Sequence, residues 1–385
     1  MVDTSERTTV HGSDGTGQER RRQEIGRLQR WFRGYPYTRP LSGRAVDVVA
    51  EAGSPVSDLL ASELVDGETM VFAAGFTESG SGPALVVPVE GGVTAVPDEI
   101  RLADDLYVET FDYLSSPYLA VAGPAAVRVT SVEDYQAFLE DADQAFTAGR
   151  FPGHLLVETL QLADLPALAP ALARPGLARL HLSADGMVRT AVGARPTYVI
   201  GPDGACRVDG KPAKGDEPGV SEMPDPVEAL TGLVGAETIG AATSRRPWLS
   251  RYVLALEALR RLGPAGVDAA VSGFHFRLSP ASSDTAQEDP ERPVLISTGT
   301  DVLAVTLPEF RTFRIGRDAG VLLEIMDGLG GGPQAAEVAA RALSLSPSTV
   351  DELYRRLLRQ LGCTPPAPRP AAEVRRVPTV AGSAR

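Results

Sequence analysis

Residues 293–315 run PVLISTGTDVLAVTLPEFRTFRI. Two short apolar segments, Pro293–Ser297 and Val302–Leu307, flank Gly299-Thr300-Asp301, and their length and β-branched content predict a strand pair joined by a tight turn. Glu309–Ile315 places Phe310, Thr312, Phe313 and Ile315 in near alternation and predicts a third strand. The period then changes to that of helices. Asp318–Met326 buries Val321, Leu322, Ile325 and Met326, and the alanine-rich Pro333–Leu343 has Val338 on its apolar side. A third helix starts with Ser346 as N-cap and Pro347 in its first turn, and stops at Gly362. Its buried face holds Val350, Leu353 or Tyr354, Leu357 and Leu361. Three small strands followed by three helices predict a winged-helix domain over 293–363.

Winged helices often bind DNA, and charge argues against that use here. Residues 293–363 carry seven arginines and eight carboxylates, with no lysine. The whole chain of 385 residues has a net charge of −13, which repels phosphate backbones. Neither nucleic acid nor a membrane is expected as a partner.

The string Val302–Gly328, together with Ala336–Leu361 and its Leu353-Tyr354-Arg355-Arg356-Leu357-Leu358 core, resembles the PqqD-like recognition element of pathways that make ribosomally synthesised, post-translationally modified peptides (RiPPs). The resemblance covers about 70 of the 385 residues and rests on pattern, without an invariant signature. It implies that the leader of a precursor peptide adds a strand beside Arg311–Ile315 and lies against the helix Ser348–Cys363. An open sheet edge supplies main-chain hydrogen bonds and the helix selects side chains. The implied contacts are Arg311, Thr312, Phe313 and Arg314 on the strand, and Thr349, Glu352, Leu353, Arg356 and Arg359 on the helix. Arg314, Arg356 and Arg359 would pair with acidic leader residues. The implied partners are the precursor peptide and separate modifying enzymes, and the overall layout resembles the recognition proteins of daptide-type clusters.

Upstream, residues 1–20 read as disordered, and 21–43 as a basic amphipathic helix with its connection, carrying Ile25, Leu28, Trp31 and Phe32. That helix either contacts an acidic partner or docks on its own domain. From 44 to 210, strand and helix signals mix, which predicts an α+β or α/β domain. Among its strands are Met70–Ala74, Ala84–Val89, Val93–Val96, Tyr118–Val121 and Ala126–Val129. Residues 211–280 read as a linker, a helical segment centred on Pro247–Leu262, and a strand over Ser272–Leu278; 281–292 read as a second linker and 364–385 as a flexible tail. The fold class expected is therefore α+β, with a C-terminal winged helix.

The search for chemistry yields no motif. The four histidines, His11, His154, His181 and His275, form no metal-ligand spacing, and Cys206 and Cys363 stand far apart. The run Gly328–Gly332 follows a helix and lacks a following Lys-Ser/Thr, so it predicts a helix–helix turn rather than a phosphate loop. The stretch Gly75–Gly82 contains no nucleophile elbow and predicts a hairpin loop. Asp104-Asp105 is one of many carboxylate pairs among fifty acids and assigns no dyad. No catalytic residue, metal or cofactor is expected. The polar N-terminus lacks a signal-peptide core, and no apolar run reaches the length of a membrane span, so the expected compartment is the cytoplasm of a high-GC, actinobacterial cell. The expected function is non-catalytic leader recognition. Alternatives are a modifying enzyme over 44–280 with an appended recognition domain, or a DNA-binding regulator.

Overall fold

The computed structural model describes residues 14–35, 44–77, 82–94, 96–103, 106–119, 121, 123–173, 179–201, 204–208, 211–212, 228–282, 289–299, 301–306 and 310–364. The chain forms two compact units, Met1–Asp143 with Phe151–Gly263, and Gln144–Arg150 with Pro264–Arg385. The architecture is mixed α+β.

In chain order the elements up to Gly263 are α1 (Asp14–Arg33), β1 (Asp47–Ala50), α2 (Val56–Ala61), β2 (Met70–Ala74), β3 (Leu85–Gly91), β4 (Asp98–Ala103), β5 (Leu106–Asp112), β6 (Ala125–Arg128), α3 (Val132–Ala148), β7 (Leu160–Leu162), α4 (Leu165–Leu168), β8 (Arg179–Leu182), β9 (Met187–Arg189), β10 (Tyr198–Ile200), β11 (Cys206–Val208), β12 (Lys211–Pro212), α5 (Glu228–Val234), α6 (Ala236–Arg245) and α7 (Leu249–Arg261). The strands form one twelve-stranded sheet in the order β12-β11-β10-β9-β8-β1-β2-β3-β4-β5-β6-β7. Neighbours run parallel from β8 through β1 and β2 to β3, and again from β5 through β6 to β7; the other pairs are antiparallel.

The central strands are buried on both faces, which is why β1 and β2 read as nearly unbroken apolar runs. Val48, Ala50, Val71 and Ala73 pack with Val56, Leu59 and Leu60 of α2 on one face. Val49, Met70 and Phe72 pack with Leu28, Trp31 and Phe32 of α1 on the other. The basic helix is thus docked on its own sheet. The Trp31 indole donates to the Leu180 carbonyl at 2.9 Å, and Arg27 pairs with the buried Asp47 at 2.6 Å.

Several expectations are corrected. Helix α1 begins at Asp14, so residues 14–20 are helical rather than disordered; Gln, Glu and Arg propagate a helix from its buried end, aided by the Arg20–Glu24 pair. Residues 1–13 and 36–43 lie outside the described residues. The strand beyond Gly91-Gly92 is Asp98–Ala103 rather than Val93–Val96, and a 3-10 turn over Ser116–Tyr118, with Pro117 near its start, takes up Tyr118, the first residue of the strand expected over Tyr118–Val121. Gly75–Gly82 cannot be a hairpin, because β2 and β3 are parallel. Residues 228–263, expected to belong with an interdomain segment, fold within the first unit, and α7 is buried along most of its length.

Within the second unit the elements are α8 (Pro264–Val267), β13 (Ala270–Val271), β14 (Val294–Ser297), β15 (Val302–Thr306), β16 (Arg311–Ile315), α9 (Arg317–Gly328), α10 (Gly332–Leu343) and α11 (Pro347–Leu361). The strands form an antiparallel sheet in the order β13-β14-β15-β16, four strands rather than the three expected. The strand expected over Ser272–Leu278 is interrupted: Gly273 and His275 both adopt left-handed φ, and only β13 and a Ser272–Phe276 bridge remain. Leu295, Val302 and Ala304 share a core with Leu322, Ile325 and Met326 of α9, with Ala335, Ala336 and Ala339 of α10, and with Val350, Tyr354, Leu358 and Leu361 of α11. Gly330, Gly331 and Gly332 take positive φ in the α9–α10 turn.

The segment expected as a linker over 281–292 is fastened at its described ends. The buried Glu324 carboxylate accepts from the Ser272 hydroxyl at 2.5 Å, from the Leu278 and Ser279 amides at 2.8 and 2.9 Å, and from the Ser282 hydroxyl. Arg292 pairs with Asp289 at 3.1 Å and donates to the Thr364 carbonyl at 2.8 Å. Residues 283–288, and 365–385 of the expected tail, lie outside the described residues, as do 213–227 of the first linker.

Candidate functional site

The exposed margin of the second unit's sheet is β16. Its register on β15 pairs Arg311 with Thr306, Phe313 with Ala304 and Ile315 with Val302. Side chains alternate across a strand, so Arg311, Phe313 and Ile315 lie on the helix-covered face and Thr312 and Arg314 on the other. Phe313 and Ile315 are half-buried against the core, and the Arg311 guanidinium lies 5.1 Å from the Phe313 ring centroid. Among the described residues β16 pairs with β15 alone, which leaves its other edge without a strand partner. Phe310, buried and at φ 54°, directs the chain into this strand.

Arg314 is already engaged. Its Nε and Nη2 donate to one oxygen of Asp301 at 3.0 and 2.7 Å, so it is not the uncommitted cation that the sequence suggested. The cause is the β15–β16 pairing, which brings Leu303 opposite Arg314 and Asp301 within reach.

Helix α11 begins with Ser346, whose hydroxyl accepts from the Thr349 amide at 3.2 Å, and ends with Gly362 in the left-handed conformation. Its buried face is Val350, Tyr354, Leu358 and Leu361. Of the two residues the sequence left open, Tyr354 fills the seam; Leu358 is fully buried where Leu357 was expected, and Leu357 packs beside it half-buried. The Tyr354 hydroxyl donates to the buried Asp327 at 2.5 Å, and burial first, then Asp327, pushes the phenol well above its usual range. That bond ties α11 to α9.

The outward row of α11 is Thr349, Glu352, Leu353, Arg356 and Arg359, all exposed. Leu353 is 39% exposed. Asp351 and Arg355 neutralise one another at 3.3 Å, whereas Arg356 and Arg359 make no ion pair with a described residue. Phe313, Ile315 and the half-buried Leu357 each pack against the same core.

The remaining chemistry is dispersed. Buried His181 brings Nε2 to 3.2 Å from the Glu51 carboxylate, and that proximity, with the Ala184 amide donating at 3.0 Å, holds the Glu51 carboxyl below its ordinary value. His154 packs 6.2 Å from the Tyr113 ring, and burial lowers its imidazole. His275 lies in the β13–β14 connection, and His11 lies outside the described residues. Among the described residues no group of three His, Cys, Asp or Glu side chains comes together, and no helix is long and apolar enough to cross a membrane. Sequence reasoning missed the Glu324 and Asp327 contacts, which join residues tens of positions apart with no local signal. In comparisons with protein-family models, curated proteins and solved structures, the chain matches none.

Proposed function

We propose that this protein is a non-catalytic recognition protein of RiPP biosynthesis, whose second unit is a winged helix that captures the leader of a precursor peptide and presents it to separate modifying enzymes. The observation that supports this reading is the edge of β16 that no described strand pairs, beside half-buried Phe313 and Ile315. An extended peptide would continue the sheet with main-chain hydrogen bonds at that edge. Leu353 and Leu357 would receive an apolar side chain, while Arg311, Arg356 and Arg359 would face carboxylates. Thr312, Phe313, Thr349 and Glu352 would complete the contact. Arg314, held by Asp301, would contribute only after exchanging that partner, and an exposed pair is worth about 1 kcal/mol or less.

Fluorescence polarisation of the full chain with a labelled acidic, leader-like peptide tests the reading. Arg356→Glu is expected to weaken binding roughly tenfold, because it replaces attraction by repulsion at an exposed contact. Unchanged affinity would remove Arg356 from the site, and no saturable binding to any precursor of the gene neighbourhood would overturn the reading.

A further inference from the structure

A second site lies in the first unit, apart from the β16 edge and independent of it. Helices α1 and α7 both end in arginines, Arg30 and Arg33 in one and Arg260 and Arg261 in the other. A single carboxylate gathers them. Glu257, 3% exposed, accepts from Arg260 at 2.9 and 3.3 Å and from Arg33 at 3.4 Å. Arg260 also donates to the Glu158 carbonyl at 2.7 Å, which fastens the segment before β7 to the cluster. Burial alone would raise the Glu257 carboxyl, but Arg260 and then Arg33 hold it below its ordinary value, so it stays an anion.

That pairing leaves cations in excess. A guanidinium has five N–H donors, and the only hydrogen bond Arg33 makes with a described residue through its side chain is the 3.4 Å contact from Nη1. Its buried Nε has no acceptor among those residues. Arg30, three residues earlier and half-buried, has a side chain that makes no hydrogen bond or ion pair with a described residue. The cations also repel one another. Burial first, then Arg260 and Arg30, pushes the Arg33 guanidinium below its usual range against the pull of Glu257. Burial, Arg33 and Arg260 act in the same way on Arg261. Four guanidiniums against one carboxylate leave an excess of three charges. The carbonyl ends of α1 and α7, each worth roughly half a negative charge, reduce it to about two.

We propose that this cluster binds a doubly charged phosphate, free or as a monoester. Its oxygens accept from the Arg33 and Arg30 guanidiniums, while Arg260 stays on Glu257. The planar guanidinium fork matches phosphate oxygens, and a dianion cancels the remaining charge. A metal ion is repelled by the same excess.

Isothermal titration calorimetry of the full chain at about pH 8, where phosphate monoesters carry close to two charges, tests the site with four probes at matched ionic strength. They are inorganic phosphate, methyl phosphate, singly charged dimethyl phosphate, and succinate, whose two charges stand on separate groups. Inorganic or methyl phosphate is expected to bind saturably and about tenfold tighter than the last two, and the tighter of the pair names the source, free ion or monoester. Arg30→Gln should weaken that binding about fivefold, the scale of one accessible ion pair. Arg33→Gln should weaken it about tenfold, the scale of a charge-assisted hydrogen bond. Arg356→Gln, on α11, should leave it unchanged, which separates this site from the leader site. Circular dichroism confirms that each variant is folded, and Arg30→Gln, which removes no contact between described residues, carries the test if Arg33→Gln does not fold. Absence of saturable binding, equal binding of all four probes, an unchanged affinity in Arg30→Gln, or a loss in Arg356→Gln would each overturn the proposal.

Discussion

Glu324 shows how much a single carboxylate can organise. Four donors from residues 272–282 converge on it, two of them backbone amides that have no other acceptor in a regular element. A buried charge is tolerable only when hydrogen bonds replace its water, and here they do. Glu324→Ala removes the acceptor and leaves buried donors unsatisfied, so a loss of about 3 kcal/mol is expected in urea unfolding. A loss below about 0.5 kcal/mol would mean that water or a neighbour replaces the carboxylate. His154 gives a second expectation at this scale. Burial lowers its imidazole, opposed by Asp141, and its Nε2 has no hydrogen-bond partner among the described residues. The unfolded chain takes up this proton near pH 6.5 while the folded chain resists until lower pH. The unfolded state therefore binds more protons in that window, and stability present above about pH 6.5 is lost as pH falls through it. Thermal unfolding at about pH 7.5 and about pH 5.5 should show a smaller acid-induced drop in His154→Gln than in the wild type; equal drops would place the sensitivity elsewhere.

At the scale of elements, α11 divides its work between faces. Leu358→Ala opens a cavity in the core, and a cost of about 3 kcal/mol is expected, whereas Leu353→Ala should change stability by less than about 0.5 kcal/mol. Under the proposed function the order reverses for the peptide, with Leu353→Ala weakening binding and leaving urea unfolding unchanged. An unaltered affinity in Leu353→Ala would move the apolar contact off this row. Helices of this kind are legible in sequence because caps and period are local. Ser346, Pro347 and Gly362 mark α11, and apolar spacing marks its buried side to within one residue. The same holds for β14, β15 and β16. Pairings between distant segments are not legible. Nothing in Ala270–Val271 announces a fourth strand, and nothing in 44–212 orders twelve strands or reveals that β2 and β3 run parallel. The candidate site followed suit: its residues stand on the expected elements, but the engagement of Arg314 by Asp301 depends on the β15–β16 hairpin as folded. That β3 meets β4 at only Glu90 and Gly91 is likewise a feature that no periodicity records.

For the molecule as a whole, charge sets a conflict that the proposed function must resolve. Residues 293–363 carry a net charge of −1, and the chain carries −13, so −12 lies elsewhere. An acidic leader approaching Arg311, Arg356 and Arg359 is attracted at contact and repelled at a distance. The two effects respond differently to salt. Repulsion acts over the Debye length, which falls from roughly 20 Å at about 20 mM salt to roughly 8 Å at about 150 mM, while pairs at contact distance are screened less. Raising salt over that range should therefore increase the association rate of an acidic peptide before weakening the complex at higher salt. Stopped-flow measurement of both rate constants distinguishes this from an ordinary attractive encounter. If association slowed monotonically with salt, the local arginines would dominate the field even at long range. If it accelerated while Arg356→Glu left dissociation unchanged, the peptide would be binding away from α11.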